Sequence, residues 1–259
     1  MESKDIMSGL AKGLATIETF TADSPRQSIA QVAAASGLDR ATARRCLLTL
    51  AHLGFADYDG KFFTLTPRIM RLGTACLATM PLPQIVQPLL DRLSDELGQS
   101  TSVSILDGDE IIYIARAAQR KVMSISLTPG SRLPAYCTSM GRVMLSALPH
   151  DQIDSMVLAD STGLTDSTDL AARTPNTITD AAALLTELAQ VRDQGYAVID
   201  QEVELGLISI AVPIYDARGR VVAALNIGLS SHHADAGQLA ALYLDKLTAI
   251  QSELRKMLL

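Results

Sequence analysis

Cysteine is scarce in this chain: Cys46, Cys76 and Cys137 lie far apart, and no two form a C-x-x-C pair. That spacing gives no disulfide framework and points to a reducing cytoplasm. The first residues, "MESKDIMSGL", lack the basic and apolar regions of a signal peptide. No apolar run approaches the roughly 18 to 20 residues that cross a bilayer, so no membrane partner is expected. The chain also lacks a nucleotide-binding glycine pattern, an internal repeat, paired-cysteine spacing and an H-x-x-x-H pair. Neither a cofactor nor a metal is expected. A G-x-S-x-G elbow is missing too, and His52, His150, His232 and His233 sit in contexts that tie none of them to a nucleophile. No catalytic residue is therefore assigned.

What is present suits a folded protein: 259 residues, 48% hydrophobic, enough for a sizeable core and for two domains. The net charge of -6 argues against a uniformly basic nucleic-acid binder. Its distribution is uneven. Residues 1–80 carry nine Lys/Arg against seven Asp/Glu, whereas the remaining 179 carry thirteen against twenty-one. An acidic body with a mildly basic head suits a small DNA-reading module attached to a domain with another task.

Along residues 8–66 apolar residues recur at helical spacing. "SGLAKGLATIETFT" lines up Leu10, Leu14, Ile17 and Phe20, and "RQSIAQVAAASG" lines up Ile29, Val32 and Ala33, with Ser28 as N-cap and Ser36-Gly37 as stop. "LDRATARRCLLTLAHLG" then starts at the capping residue Asp39 and ends at Gly54. Helix, glycine-containing turn, helix is the layout of a helix-turn-helix, here over about 28–53. On a helical wheel Ala43, Cys46, Leu47 and Leu50 face the core. Ala41, Thr42, Arg44 and Arg45 occupy the remainder. A small residue, a hydroxyl and two guanidiniums near a helix start offer what the major groove requires: room, a hydroxyl or methyl contact, and bidentate donors. Arg40 in the first turn is expected on a phosphate, and Ser28 joins the DNA-contact set. "FADYDGKFFTL" reads as two strands around Asp59-Gly60, a type I′ hairpin signal, which makes a winged helix with Lys61 at the tip. The plainer alternative is a small helical bundle with an ordinary charged face.

"TPRIMRLGTACLATMPLP" reads as a linker helix over 67–82, capped by Thr66-Pro67 and stopped at Pro81-Leu82-Pro83. Its apolar positions Ile69, Leu72, Cys76 and Leu77 pack either on a second subunit or on the same chain. From 83 to 259 the texture changes. "QIVQPLLDRLSDELG", "TSMGRVMLSALP", "DAAALLTELAQVRDQG" and "DAGQLAALYLDKLTAIQSELRKML" read as helices. "TSVSIL", "IIYIAR", "VMSISL", "YAVID", "LISIAVPIY" and "RVVAALNIGL" read as strands, and the polar stretch 159–179 as a surface segment. Strands and helices in this order, with hairpins, suggest an α+β domain built on an antiparallel sheet.

"PAYCTSMGR", residues 134–142, crowds reactive side chains together, yet no base or orienting acid can be attached to Ser139 or Cys137. A binding role fits better. Thr138 or Ser139 caps a helix whose first N–H groups, near Thr138 to Gly141, attract an anion. Gly141 permits close approach, Arg132 or Arg142 can pair with a carboxylate, and Tyr136 can lie beside a ring. The alternative is a capped helix with solvated arginines.

Together, "LDRATARRCLLTLAHLGF", "PAYCTSMGRVMLSAL" and "DQGYAVIDQEVELGLISIAVPI" resemble the IclR-type transcription regulators over nearly the whole chain. The resemblance implies an N-terminal winged helix-turn-helix, a linker helix and a C-terminal GAF-like effector-binding domain. It also implies a homodimer or tetramer acting on palindromic or repeated double-stranded operators. "GSRLPAYCTSMGRVMLSALP" is similar to the branch that controls aromatic-acid catabolism through the β-ketoadipate pathway, whose effectors are small carboxylates. Carried over by position, the family's pocket falls on Thr138, Ser139, Met140 and Gly141, on Ile199 and Asp200, on Ser209, and on Asn226 and Gly228. Where some relatives have hydroxyls on the last strand this chain has Asn226 and Gly228, and it has Ile199 beside Asp200 where an acidic contact can occur. The competing class is a small-molecule hydrolase or transferase carrying a winged helix, whose turnover would depend on Ser139 or Cys137.

Overall fold

The computed structural model describes residues 6–21, 23–119, 127–149, 152–153 and 170–258, leaving aside the side chains of 75–78. Contacts divide the chain into two compact units, 1–79 and 80–259.

In the first unit α1 (Ser8–Glu18), α2 (Ile29–Ser36) and α3 (Arg40–His52) surround Val32, Ala33, Ala43, Leu47 and Leu50, joined by Phe63 from the wing. Local chemistry fixes the helix starts. Ser28 closes a capping box with Gln31, and Asp39 accepts the Thr42 N–H at 2.9 Å. Between the helices Gly37 takes a φ of +66°, the left-handed turn that ends α2. The wing is β2 (Ala56–Tyr58) and β3 (Phe62–Leu65), and β1 (Arg26–Ser28) pairs on the other side of β3, an added strand that three residues of sequence do not announce.

The wing turn differs from the I′ expectation. Register pairs Tyr58 with Phe63, which puts Gly60-Lys61 at the centre of the turn, and of these Gly60 alone has a positive φ. Type I′ needs two left-handed residues, so a single glycine at the first central position belongs to the II′ pattern instead. Asp59 holds the turn by accepting the N–H groups of Lys61 and Phe62 at 2.9 and 2.8 Å.

A short 3-10 turn, Pro67–Ile69, leads into α4 (Met70–Thr79). That helix ends at Thr79, with Met80 extended before Pro81, so the proline run does mark its stop. The same run also opens α5 (Pro81–Leu97), because proline is tolerated in a first turn where the N–H has no intrahelical acceptor. The proposed packing of Cys76 and Leu77 lies outside the described side chains.

The second unit is a six-stranded antiparallel sheet in the order β6-β5-β4-β9-β8-β7. Its strands are β4 (Ser100–Asp107), β5 (Glu110–Ala117), β6 (Arg132–Pro134), β7 (Ala197–Asp200), β8 (Leu207–Tyr215) and β9 (Val221–Ser230). One face packs on α5 and α8 (Leu239–Met257) through Ile208, Ile210, Val212, Leu225 and Ile227. The other packs on α6 (Ser139–Ser146) and α7 (Ala181–Gln194) through Tyr113, Ala211 and Ala224. Alternation along β4 puts Val103 on the first face and Ser100, Ser102 and Ser104 on the second. All three of those serines are buried, so the second face carries a hydroxyl stripe where an apolar core would be expected. β6 is a three-residue edge strand outside the six expected from the sequence. Apart from Leu127, the expected strand "VMSISL" lies outside the described residues, as do His150 and residues 159–169 of the polar stretch.

Residue pairing on β4 and β5 slips once: Val103 faces Ala115 whereas Ser104 faces Tyr113, so Ile114 is an extra residue on β5. Such a bulge reverses the side-chain alternation beyond it. Arg116 is thereby turned onto the face that holds Tyr113, beside Ser102, whose Oγ accepts from its Nη1 at 3.0 Å.

Candidate functional site

On α3 the side chains sort as the wheel requires. Ala43, Leu47 and Leu50 are buried, Cys46 is half-buried, and Arg40, Ala41, Arg44 and Arg45 are exposed. None of the three arginines forms an ion pair with a described residue, so their guanidiniums are available to phosphates or base edges. Thr42 is less available, because its hydroxyl donates to Asp39 Oδ2 at 2.7 Å. Ser28 is likewise committed to Gln31. Lys61 is exposed at the wing tip with its ammonium 5.1 Å from the Phe62 ring centroid. Arg26 lies over the same ring and pairs with Asp59. A groove between α1 and α3 brings Lys12 next to Arg45 and Thr49, adding a cation that the wheel of α3 alone does not reveal.

In the second unit a cavity of about 30 Å³ lies between the start of α6 and the hydroxyl-bearing sheet face. That is room for about two water molecules, so a ring-sized ligand requires the walls to part. Thr138, Ser139, Met140, Ser209, Asn226 and Gly228 line it, as the family pattern implies. Thr138 is the N-cap of α6, accepting the Gly141 N–H at 3.1 Å, and Ser139 Oγ lies 2.8 Å from Ser209 Oγ. Both hydroxyls therefore already have partners. Gly228 sits between Ser100 and Ser209 in register, and a Cβ there would meet nothing nearer than Asn226 Nδ2 at 3.9 Å. Packing does not demand this glycine; its missing side chain keeps the cavity floor open.

Five of the expected pocket residues lie elsewhere. Arg132 stands on the exposed edge strand β6, held by Glu110 at 2.6 Å and Asp107 at 2.7 Å. Tyr136 turns its hydroxyl to the Ala171 carbonyl. Ile199 and Asp200 are on the opposite edge strand, β7, one strand beyond Ser209, the first fully buried and the second exposed. Gly141 is a glycine for another reason: a Cβ would fall 2.1 Å from Ala135 O and 2.4 Å from Ala135 Cα, so it permits α6 to press against its own chain. Arg142 is buried and bound to Glu202 at 2.6 Å, with Nε donating to Tyr136 O at 2.9 Å. The segments 134–142 and 197–209 still enclose the cavity, but through Val203 and Leu207 in place of Ile199 and Asp200.

The cavity also holds residues that the sequence did not single out, among them Ser100, Tyr113 and Arg116. Burial pushes the Tyr113 phenol up to about 12, so it stays neutral. Burial likewise pulls Arg116 below its ordinary value, and no described carboxylate pairs with it. Its Nε has no hydrogen-bond partner, nor has Asn226 Oδ1.

Residues 74–253 match the family described as Bacterial transcriptional regulator IclR C-terminal, and residues 9–60 match the IclR helix-turn-helix domain. The Pca regulon regulatory protein of Pseudomonas putida is 43% identical, covering 96% of this chain and 84% of its own. The chain belongs to the IclR family of transcription regulators.

Other IclR relatives narrow the branch. The p-hydroxybenzoate hydroxylase transcriptional activator of Acinetobacter baylyi is 35% identical, covering 99% of this chain and 94% of its own. A solved structure of a double mutant of the PobR transcription factor inducer-binding domain from Acinetobacter, in complex with 3-hydroxybenzoic acid, is 32% identical. It aligns with a TM-score of 0.61 over 68% of this chain and 98% of that one. This IclR protein is thus a regulator of the Pca and PobR type, with a helix-turn-helix for DNA and a separate effector-binding domain. The family comprises regulators and not enzymes, which removes the hydrolase or transferase alternative. Cys137 agrees chemically: burial pushes its thiol up to about 11, leaving no thiolate to attack. No described helix is long and apolar enough to cross a membrane.

Proposed function

We propose that this regulator binds a small aromatic carboxylic acid in the cavity between α6 and the sheet. It then reads paired operator half-sites as a homodimer in the cytoplasm. The observation that carries the effector reading is the cavity itself: on a buried sheet face it is walled by Ser100, Ser139, Ser209, Tyr113 and Asn226, with one guanidinium among the described residues facing it. Two relatives support the class, one named for p-hydroxybenzoate hydroxylase and one bound to 3-hydroxybenzoic acid. Arg132, Tyr136, Gly141, Ile199 and Asp200 leave the proposed pocket, since none lines the void.

Calorimetric titration with 4-hydroxybenzoate, 3-hydroxybenzoate, protocatechuate and adipate tests the reading. At least one aromatic acid is expected to bind at submillimolar concentration; no binding by any of them at millimolar concentration contradicts it. Gly228→Leu is expected to abolish that binding by filling the floor, while the melting temperature of the domain stays within a few degrees of wild type. Retained affinity in a folded Gly228→Leu protein would place the ligand elsewhere.

For DNA, Arg44 and Arg45 reach the bases or phosphates from α3, Arg40 and Lys61 hold phosphates, and Ala41 gives room at the groove. Arg45→Ala should weaken operator binding by about 1–3 kcal/mol if the guanidinium is bidentate to a base. A gel-shift titration with unchanged affinity would remove it from the interface.

A further inference from the structure

Among the described residues Arg116 is the one charged residue that lines the cavity. It is placed there by the Ile114 bulge, since strict alternation from Ile111 and Tyr113 would have sent it to the opposite face. Its only hydrogen bond to a described side chain is Nη1 to Ser102 Oγ at 3.0 Å; Nε is buried and unpartnered. A partly buried guanidinium without a carboxylate is unfavourable, because desolvation is not offset by an opposite charge. The one other buried or half-buried arginine among the described residues, Arg142, has such an offset in Glu202, and even the exposed Arg132 and Arg192 are held, by Glu110 and Asp107 and by the carbonyls of Ser146 and Leu148. Arg116 is the exception, and it faces a void.

Across the sheet from Arg116 lie Ser102 on β4 and then Asn226 on β9, in one row. Asn226 is 8% exposed, and its Oδ1 is also buried without a partner. Two strand spacings separate the backbones of Arg116 and Asn226, roughly 9.5 Å. A donor cation and an unsatisfied amide at the two ends of one row describe a ligand with a carboxylate at one end and a neutral hydrogen-bonding oxygen at the other. A second carboxylate would find no second cation among the described lining residues.

We infer that Arg116 holds the effector's carboxylate and that Asn226 reads a hydroxyl at its far end, so that the cavity selects a hydroxy-substituted aromatic monocarboxylate over a dicarboxylate. This rests on the effector reading above and sharpens it, moving the anion contact from the start of α6, where Ser139 is already bonded to Ser209, to the far side of the cavity. Arg116 is a ligand-contacting residue on this account, and its loss should not weaken the empty protein.

The test crosses ligand and protein. 4-Hydroxybenzoate, its amide 4-hydroxybenzamide, benzoate and adipate are titrated by calorimetry into wild-type protein, Arg116→Gln and Asn226→Ala, with the melting temperature of each ligand-free protein recorded. Wild type is expected to prefer 4-hydroxybenzoate to its amide, and 4-hydroxybenzoate to benzoate and adipate. In Arg116→Gln, 4-hydroxybenzoate should bind roughly 10- to 100-fold more weakly. Its advantage over the amide should vanish, with the ligand-free melting temperature unchanged or raised. In Asn226→Ala the preference for 4-hydroxybenzoate over benzoate should be lost. The inference is overturned if Arg116→Gln keeps the preference for the acid, if adipate binds wild type more tightly than 4-hydroxybenzoate, or if Arg116→Gln melts lower without ligand. A wild-type protein that binds none of the four overturns the effector reading together with the inference, whereas the first three outcomes leave that reading standing.

Discussion

Replacing Glu202 with alanine should cost about 3–5 kcal/mol of stability in the effector domain, the range for removing one partner of a buried ion pair. Glu202 is 6% exposed and Arg142 1% exposed, and their side chains meet at 2.6 Å. Burial pushes the Glu202 carboxyl up, against the opposing pull of Arg142 and of the Ile178 N–H, which donates to Oε2 at 3.1 Å. The same residue therefore joins three segments: α6 through Arg142, the stretch after residue 170 through Ile178, and its own loop, whose Val203 lines the cavity. Without Glu202, Arg142 would keep only Glu187 at 3.5 Å and the Tyr136 carbonyl. Urea unfolding of the variant measures the loss, and a change under about 1 kcal/mol would contradict a structural pair. Because the penalty comes from the stranded charge, Glu202→Leu combined with Arg142→Met should be less damaging than either single change.

Gly141→Ala should be comparably severe. The added Cβ would sit 2.1 Å from a backbone oxygen and 2.4 Å from a backbone carbon of Ala135, neither of which can rotate away. The start of α6 would have to move, taking with it the Thr138 cap and the Ser139–Ser209 contact. A loss at or above the top of the usual 1–3 kcal/mol for overpacking is expected, about 3 kcal/mol or more. Weakened effector binding should accompany it. Gly228→Ala is the control: its Cβ has space, so the melting temperature should hardly change. If Gly141→Ala melts like wild type, the close approach of Ala135 is not what the glycine serves.

The contrast between these two glycines shows how far a sequence can be read. Both were placed at the effector site by resemblance, yet one belongs to the cavity floor and the other to a backbone contact that only three dimensions reveal. The recognition helix was legible because its period sorts Ala43, Leu47 and Leu50 from Arg40, Arg44 and Arg45 without any tertiary information, and because Ser28 and Asp39 are local caps. Helix starts and stops at Asp180, Gly98 and Gly195 were legible for the same reason. Arg116 was not. In "IIYIAR" simple alternation sets the arginine apart from Tyr113, and the bulge that reunites them follows from pairing with β4, which no local pattern records. Arg132 was favoured because it is near "PAYCTSMGR" in sequence; the edge position of β6 and the carboxylates of Glu110 and Asp107 turn it outward. Pro81 and Pro83 mark the end of α4 as their sequence position implies; that α5 starts on the first of them was not legible, because the same proline signal serves both ends of a helix.

The central claim is that occupancy of the cavity controls DNA binding. Its most direct test is a fluorescence-anisotropy titration of the full-length protein onto a labelled fragment from upstream of its own gene, with and without saturating 4-hydroxybenzoate, for wild type and Gly228→Leu. The account predicts that the acid changes the wild-type operator affinity by roughly 5- to 150-fold, the usual span of such coupling, and leaves Gly228→Leu unchanged. Superimposable wild-type curves, from a protein shown to bind the acid, would contradict it.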